Sequence, residues 1–152
     1  MGNGDERMTI TTVAILMPGD MGHGCATVFR ENGFRTVTDL SKRSERTKAL
    51  SAKAGLENLG SLEEVAKQAH IVLSILPPEN ALDQARKFAA AMIATGSAPP
   101  YVDCNAVSPA TTRNIGAEIN RSGALYIDGG IIGSNPVNEK GGTRLYVSGS
   151  DT

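Results

Sequence analysis

The chain has 152 residues, 40% hydrophobic and 20% charged, with a formal net charge of −1. That size and balance suit one globular domain with its own core. The absence of a basic stripe with interleaved aromatics argues against nucleic acid or an anionic membrane as partner. No apolar run approaches the roughly 20 residues that span a bilayer.

Residues 1–8 read as a Gly-rich, charged, disordered lead-in with no apolar segment that would serve as a secretory signal. Residues 9–152 form the domain. The two cysteines, Cys25 and Cys104, point to a reducing compartment rather than a disulfide scaffold, and cytosol is expected.

The first strand is expected over 11–17, apolar throughout after Thr12, as in a parallel sheet covered on both faces. A helix follows over 20–32, with Met21, Cys25 and Phe29 spaced to face the sheet and Gly33 to end it. A strand over 36–40 leads to a helix capped by Ser44 that stops at Gly55. Ser61 and Glu64 form a capping box for a short helix reaching Ala69. Residues 71–76 make another apolar strand, and Pro77-Pro78 opens a helix over 79–94. A strand over 101–104 follows. Ser108 then caps a helix with Pro109 in its first position, closed by Gly123. Residues 125–127 read as a strand, 128–142 as a long loop and 144–148 as a last strand.

Strand and helix alternate with short connections, which predicts an α/β fold: a doubly wound, mostly parallel sheet with right-handed crossovers and helices on both faces. In such a sheet ligands lie off the carboxyl ends of the strands. The first of those ends is the informative one. In a dinucleotide fingerprint three glycines provide a tight turn, a close approach to pyrophosphate and close helix packing. Here those positions are Met17, Gly19 and Gly22. Met17 replaces the turn glycine, and Pro18 is expected to hold it extended. Amides of Asp20 and Met21 would face the phosphates, with the Asp20 side chain free to cap the helix.

Asp39 comes 20 residues after Gly19, where an acidic group takes the adenosine 2′-hydroxyl and favours NAD. Lys42, Arg43 and Arg46 follow, and an arginine there can clamp the 2′-phosphate of NADP. Both cofactors remain open. At the fourth strand end, Asn105 can hydrogen-bond a substrate hydroxyl or carboxylate, while Ser108 serves as a helix cap. The glycine-dense segment after Asp128 is long enough to be functional. His23 and His70 read as surface residues, phosphate contact being a second role for His23. No His/Cys cluster has metal-ligand spacing, so no metal site is expected.

Taken together, these segments resemble the N-terminal domain of the 6-phosphogluconate dehydrogenase and β-hydroxyacid dehydrogenase superfamily. Met17-Pro18-Gly19-Asp20-Met21-Gly22 is similar to its opening Gly-Leu-Gly-x-Met-Gly. Ile75-Leu76-Pro77 corresponds to its Met-Leu-Pro, which lines the nicotinamide ribose. Asp103, Pro109 and Thr111 match its Asp-x-Ser-Thr-x-x-Pro-x-Thr, with Asn105 and Ala106 replacing the Ser-Thr pair. Asp128 and Gly133 match its Asp-Ala-Pro-Val-Ser-Gly-Gly, with Ile132 and Ser134 substituted. Arg43-Ser44 looks like the Arg-Thr pair of members that use NADP.

The resemblance implies NAD or NADP as cofactor, held by Gly19, Asp20, Met21, Gly22, Asp39, Arg43, Leu76, Pro77 and Asn105. It implies a substrate side formed by Asn105, Ala106, Gly130, Ile132 and Gly133. The activity implied is hydride transfer with a small hydroxy acid or related carbonyl compound. The family's catalytic lysine and helical C-terminal domain would lie outside these residues, so the 152-residue piece is expected to be inactive alone. A homodimer fits the exposed docking face this leaves. The alternative expectation is a non-catalytic nucleotide-binding or interaction module.

Overall fold

The computed structural model describes residues 9–138 and 141–149. Among these, seven strands form one sheet in the order β3-β2-β1-β4-β5-β6-β7. The strands are β1 (Thr12–Leu16), β2 (Arg35–Thr38), β3 (Glu57–Asn58), β4 (Ile71–Ser74), β5 (Tyr101–Asp103), β6 (Tyr126–Ile132) and β7 (Arg144–Ser148). The first six run parallel, and β7 pairs antiparallel with β6. The helices are α1 (Asp20–Glu31), α2 (Glu45–Ala54), α3 (Leu62–Gln68), α4 (Ala81–Thr95) and α5 (Pro109–Arg121), with a 3-10 turn at Pro78–Asn80. The predicted doubly wound sheet is therefore the observed one. Its order reverses beside β1, between the crossover to β2 and the crossover to β4, which is where such sheets open a ligand crevice.

Strand β1 is buried on both faces, which explains its unbroken apolar run. Val13 and Ile15 join Leu73, Ile75 and Val102 beneath α1 and α2, with Met21, Cys25 and Phe29 packed on them. Ala14 and Leu16 face the other way, toward Val65, Phe88, Met92, Ile115 and Ile119 from α3, α4 and α5. Local signals hold at the helix ends. Ser44, Ser61 and Ser108 each accept a backbone N–H three residues on. After α1, Gly33 has φ +89, its amide donates to the Arg30 carbonyl and the Phe34 amide to that of Phe29. The Phe29 and Phe34 rings meet edge to face at 5.8 Å, completing a Schellman stop with its apolar contact. The capping box is half made: Glu64 turns its carboxylate to Lys67 and Gln68 instead of back to Ser61.

Two expectations are corrected. Residues 128–142 are not one long loop, because Asp128–Ile132 belong to β6 and pair with β7 from Asp128↔Ser148 to Ile132↔Arg144. The glycines there mark close approach rather than a break. A Cβ on Gly129 would lie 3.0 Å from Val102 Cγ1 and 3.3 Å from the Asp103 carbonyl. Nor does Pro18 hold Met17 extended: Met17 has φ +48, the left-handed conformation that the missing glycine would have taken. The turn is thus built on a left-handed non-glycine residue, a conformation that costs about 1–2 kcal/mol.

Candidate functional site

At the end of β1 the chain reverses through Met17 and Pro18 into α1. Gly19 is the N-cap residue, extended at φ −97 and ψ −160, with no side-chain cap. The first helix bond runs from the His23 amide to the Gly19 carbonyl at 2.8 Å. The amides of residues 20–22 thus lack intrahelical acceptors at the positive end of the helix dipole. A Cβ on Gly19 would meet no protein atom within 4 Å, so the space before these amides is open. A Cβ on Gly22 would press on Ile15 and Pro18 at 3.2 and 3.3 Å, which makes it the packing glycine. Asp20 does not cap α1: its carboxylate lies 3.3 Å from Arg46 of α2, an exposed pair of little energetic weight.

His23 is not on the surface. It is 6% exposed, its Nε2 lies 3.0 Å from Ser51 Oγ of α2, and its buried Nδ1 has no partner. Burial holds its pKa below the usual histidine value. The sequence hid this because Ser51 is 28 residues away. His70 likewise accepts the Thr11 amide at 3.0 Å, pinning the entry to β1.

Beyond β2 a cavity of about 420 Å³ is lined by Met17, Asp39, Lys42, Arg43 and Lys87. Asp39 is fixed by the Ser41 amide at 2.9 Å, and the Leu40 carbonyl accepts the Arg43 amide at 3.0 Å. Lys87 is a lining cation that sequence reasoning missed. It comes from the middle of α4, away from the strand ends where ligand-binding residues of such a sheet are expected.

At the ends of β4 and β5 the structure gives Asn105 a different setting from the one expected. Its Oδ1 accepts the Leu76 amide at 2.8 Å, and its Nδ2 donates to Ser74 Oγ at 3.0 Å and Asp103 Oδ1 at 2.5 Å. The side chain is buried and spends its polar atoms on tying the Leu76-Pro77 turn to β5. Asp103 is 1% exposed with Oδ2 unpartnered, and the buried hydroxyls of Tyr101 and Tyr126 on the same sheet face have no partner either. Burial pushes Asp103 up to about 6, with Asp128 adding to the rise and the Asn105 hydrogen bonds opposing it. Ala106 lies exposed just beyond.

Strand β6 continues four residues past the Asp103↔Asp128 pair, carrying Gly130, Ile132 and then Gly133 beyond the end of β5. Ile132 is exposed, and nothing lies within 4 Å of a Cβ on Gly130. Gly133 has φ +120, and a Cβ there would strike the Gly142 carbonyl, so the base of the β6–β7 loop requires glycine. The loop then returns to α1, where Asn135 Nδ2 donates to the Asp20 carbonyl at 2.7 Å. The glycine turn after β1, the Leu76-Pro77 turn and the β6 extension thus gather at one edge of the sheet, with Asp39 and Arg43 flanking them at the end of β2. Among the described residues no group of three His, Cys, Asp or Glu side chains is placed to hold a metal ion.

Comparison with known proteins agrees with this geometry. A profile of the NAD-binding domain of 6-phosphogluconate dehydrogenase matches residues 12–152. An uncharacterised 28.5 kDa protein of Methanothermus fervidus is 33% identical over 105 residues, 69% of this chain and 39% of that one. Among solved structures, a conserved protein described as similar to 3-hydroxyacid dehydrogenases superposes with a TM-score of 0.76 at 28% identity, covering 90% of this chain and 49% of that one. In fold the chain is also similar to a Mycobacterium tuberculosis 3-hydroxyisobutyrate dehydrogenase with L-serine (TM-score 0.76, 20% identity, 94% and 48% covered). An imine reductase from Myxococcus stipitatus in complex with NAD+ gives a TM-score of 0.74 at 22% identity, with 94% and 48% covered. The chain spans about half the length of these structures. With both the glycine turn and the family profile in place, the chain belongs to the family of the NAD-binding domain of 6-phosphogluconate dehydrogenase.

Proposed function

We propose that this domain is the cofactor-holding part of an NAD(P)-dependent oxidoreductase acting on a small hydroxy acid or related carbonyl compound. The observation that carries the reading is the open space before Gly19, at the amide-rich start of α1 and beside a cavity that holds both Asp39 and Arg43. Gly19, Asp20, Met21 and Gly22 hold the pyrophosphate through backbone amides. Asp39 serves a 2′-hydroxyl and Arg43, with Lys42, a 2′-phosphate. Leu76 and Pro77 line the nicotinamide ribose. Asn105 contributes by fixing the Leu76 amide, and Ala106, Gly130, Ile132 and Gly133 border the substrate. Bound nicotinamide supplies the hydride chemistry; this chain binds and orients it. Residues 9–152 act as one unit.

The two thiols, free and on different elements, suit a cytosolic setting. The exposed apolar residues of β7 favour a homodimer. Light scattering that returns the monomer mass at high concentration removes that part of the reading.

Calorimetric titration with NAD+ and NADP+ tests the site. Gly19→Val fits the extended backbone and meets no protein atom at Cβ, so it should leave the melting temperature unchanged while weakening dinucleotide binding about tenfold or more. Arg43→Ala should weaken NADP+ and spare NAD+. Full affinity in Gly19→Val overturns the proposal.

A further inference from the structure

The Asn135 contact ties two segments 115 residues apart in the chain, and its stereochemistry is specific. Asn135 Oδ1 accepts the Val137 amide at 3.0 Å, and its carbonyl accepts the Asn138 amide at 3.0 Å. With Oδ1 committed to an N–H donor, Nδ2 is the atom left to face α1, where it reaches the Asp20 carbonyl at 2.7 Å. One turn along the same helix, Gly24 leaves room for this side chain. A Cβ there would collide with Asn135 Oδ1 and lie 2.6 Å from Cγ. Neither Gly24 nor Asn135 is needed for the glycine turn itself, since Gly19 and Gly22 perform its two tasks. Gly24 is a seat for the loop.

The seat lies one turn beyond the amides of residues 20–22, which in the cofactor reading face the dinucleotide phosphates. At its other end the loop leaves Gly133, which borders the substrate side, and Thr143 Oγ1 closes its base on the Ser134 carbonyl. The Asn135–Asp20 hydrogen bond gives the first turn of α1 a direct polar link to residues 134–138. We propose that Asn135 is a latch coupling dinucleotide binding at α1 to the order of the β6–β7 loop, a positioning residue for the substrate side. The latch rests on the cofactor site proposed above. Because such coupling is reciprocal, a substrate that orders the loop would tighten the dinucleotide in turn.

Hydrogen exchange of the 152-residue chain, with and without whichever of NAD+ and NADP+ binds more tightly, tests the latch residue by residue. In the wild type the dinucleotide should slow exchange at the first turn of α1 and, about fivefold or more, at the Val137 and Asn138 amides. Asn135→Asp retains the oxygen that accepts from Val137 but replaces the donor to Asp20. Gly24→Ala displaces Asn135 from the opposite side. Both variants should keep the slowing at α1 and lose it at Val137 and Asn138. Slowing at α1 with an unresponsive loop in the wild type, or an equal response in Asn135→Asp, overturns the latch and leaves the cofactor site standing. No slowing at α1 in the wild type overturns the cofactor site and the latch with it.

Discussion

A buried carboxyl and a buried imidazole give this domain two opposed responses to pH. Asp103 has its folded pKa raised to about 6 by burial, against about 4 in an unfolded chain. Its ionised form is therefore disfavoured by folding, a cost present above pH 6 and gone below about 4, on the order of 2 kcal/mol. Asp103→Asn keeps the oxygen that accepts from Asn105 and removes the charge. Urea unfolding should find it more stable than wild type at pH 8, with the difference fading between pH 6 and 4. His23 acts with the opposite sign. Its pKa is lowered in the fold, so stability is lost as pH falls below the unfolded value near 6.5. His23→Gln should flatten that acid limb in the same titration. These residues show where reading a sequence stops. Ser44, Ser108 and Gly33 were legible because a cap and its hydrogen-bond partner lie within a few residues of each other. The burial of His23 against Ser51 and the capture of Asn105 by Leu76 and Ser74 depend on contacts 28 to 31 residues apart, which no local pattern encodes.

Among the elements, the turn after β1 departs furthest from expectation and β7 least. The last strand was legible to the residue because the short apolar run Leu145-Tyr146-Val147 follows a glycine-rich stretch. The β6 extension was hidden by Gly129 and Gly130, whose lack of side chains reflects the approach of β5 rather than a turn. The two-residue β3 was too short for any periodicity to show. Pro18 favours an extended Met17, but the crossover from β1 to α1 places it in the left-handed region. Substitution there should follow backbone preference. Met17→Val should lose about 1–2 kcal/mol in a denaturant titration, since a β-branched residue tolerates positive φ poorly. Met17→Gly should stay within about 1 kcal/mol of wild type, relief of strain being offset by the freer unfolded chain.

For the whole molecule, the strand-end rule located the cleft from sequence because one parallel sheet puts every βα turn at the same edge. It did not find Lys87, which reaches that edge from a helix interior. Among the described residues, none at the edge combines the position and hydrogen-bonding freedom of a general base: Asn105 is committed and Asp103 is buried. A steady-state assay of the 152-residue chain with NADPH or NADH and small carbonyl substrates should therefore show binding without turnover, and robust reduction would contradict this.

The antiparallel pairing of β7 has a consequence for how the domain comes apart. The strand bonds to one neighbour only, and all five of its residues are exposed. Its opening exposes little new apolar surface, so its free energy should lie far below that of global unfolding. A non-specific protease under native conditions should cut within 141–148 first, leaving the six parallel strands intact. Gly133→Ala, strained against the Gly142 carbonyl, should hasten that first cut without changing the global melting temperature. In thermodynamic terms the domain then holds two cooperative units, a parallel core that sets its melting point and an edge strand that opens many times before the core does.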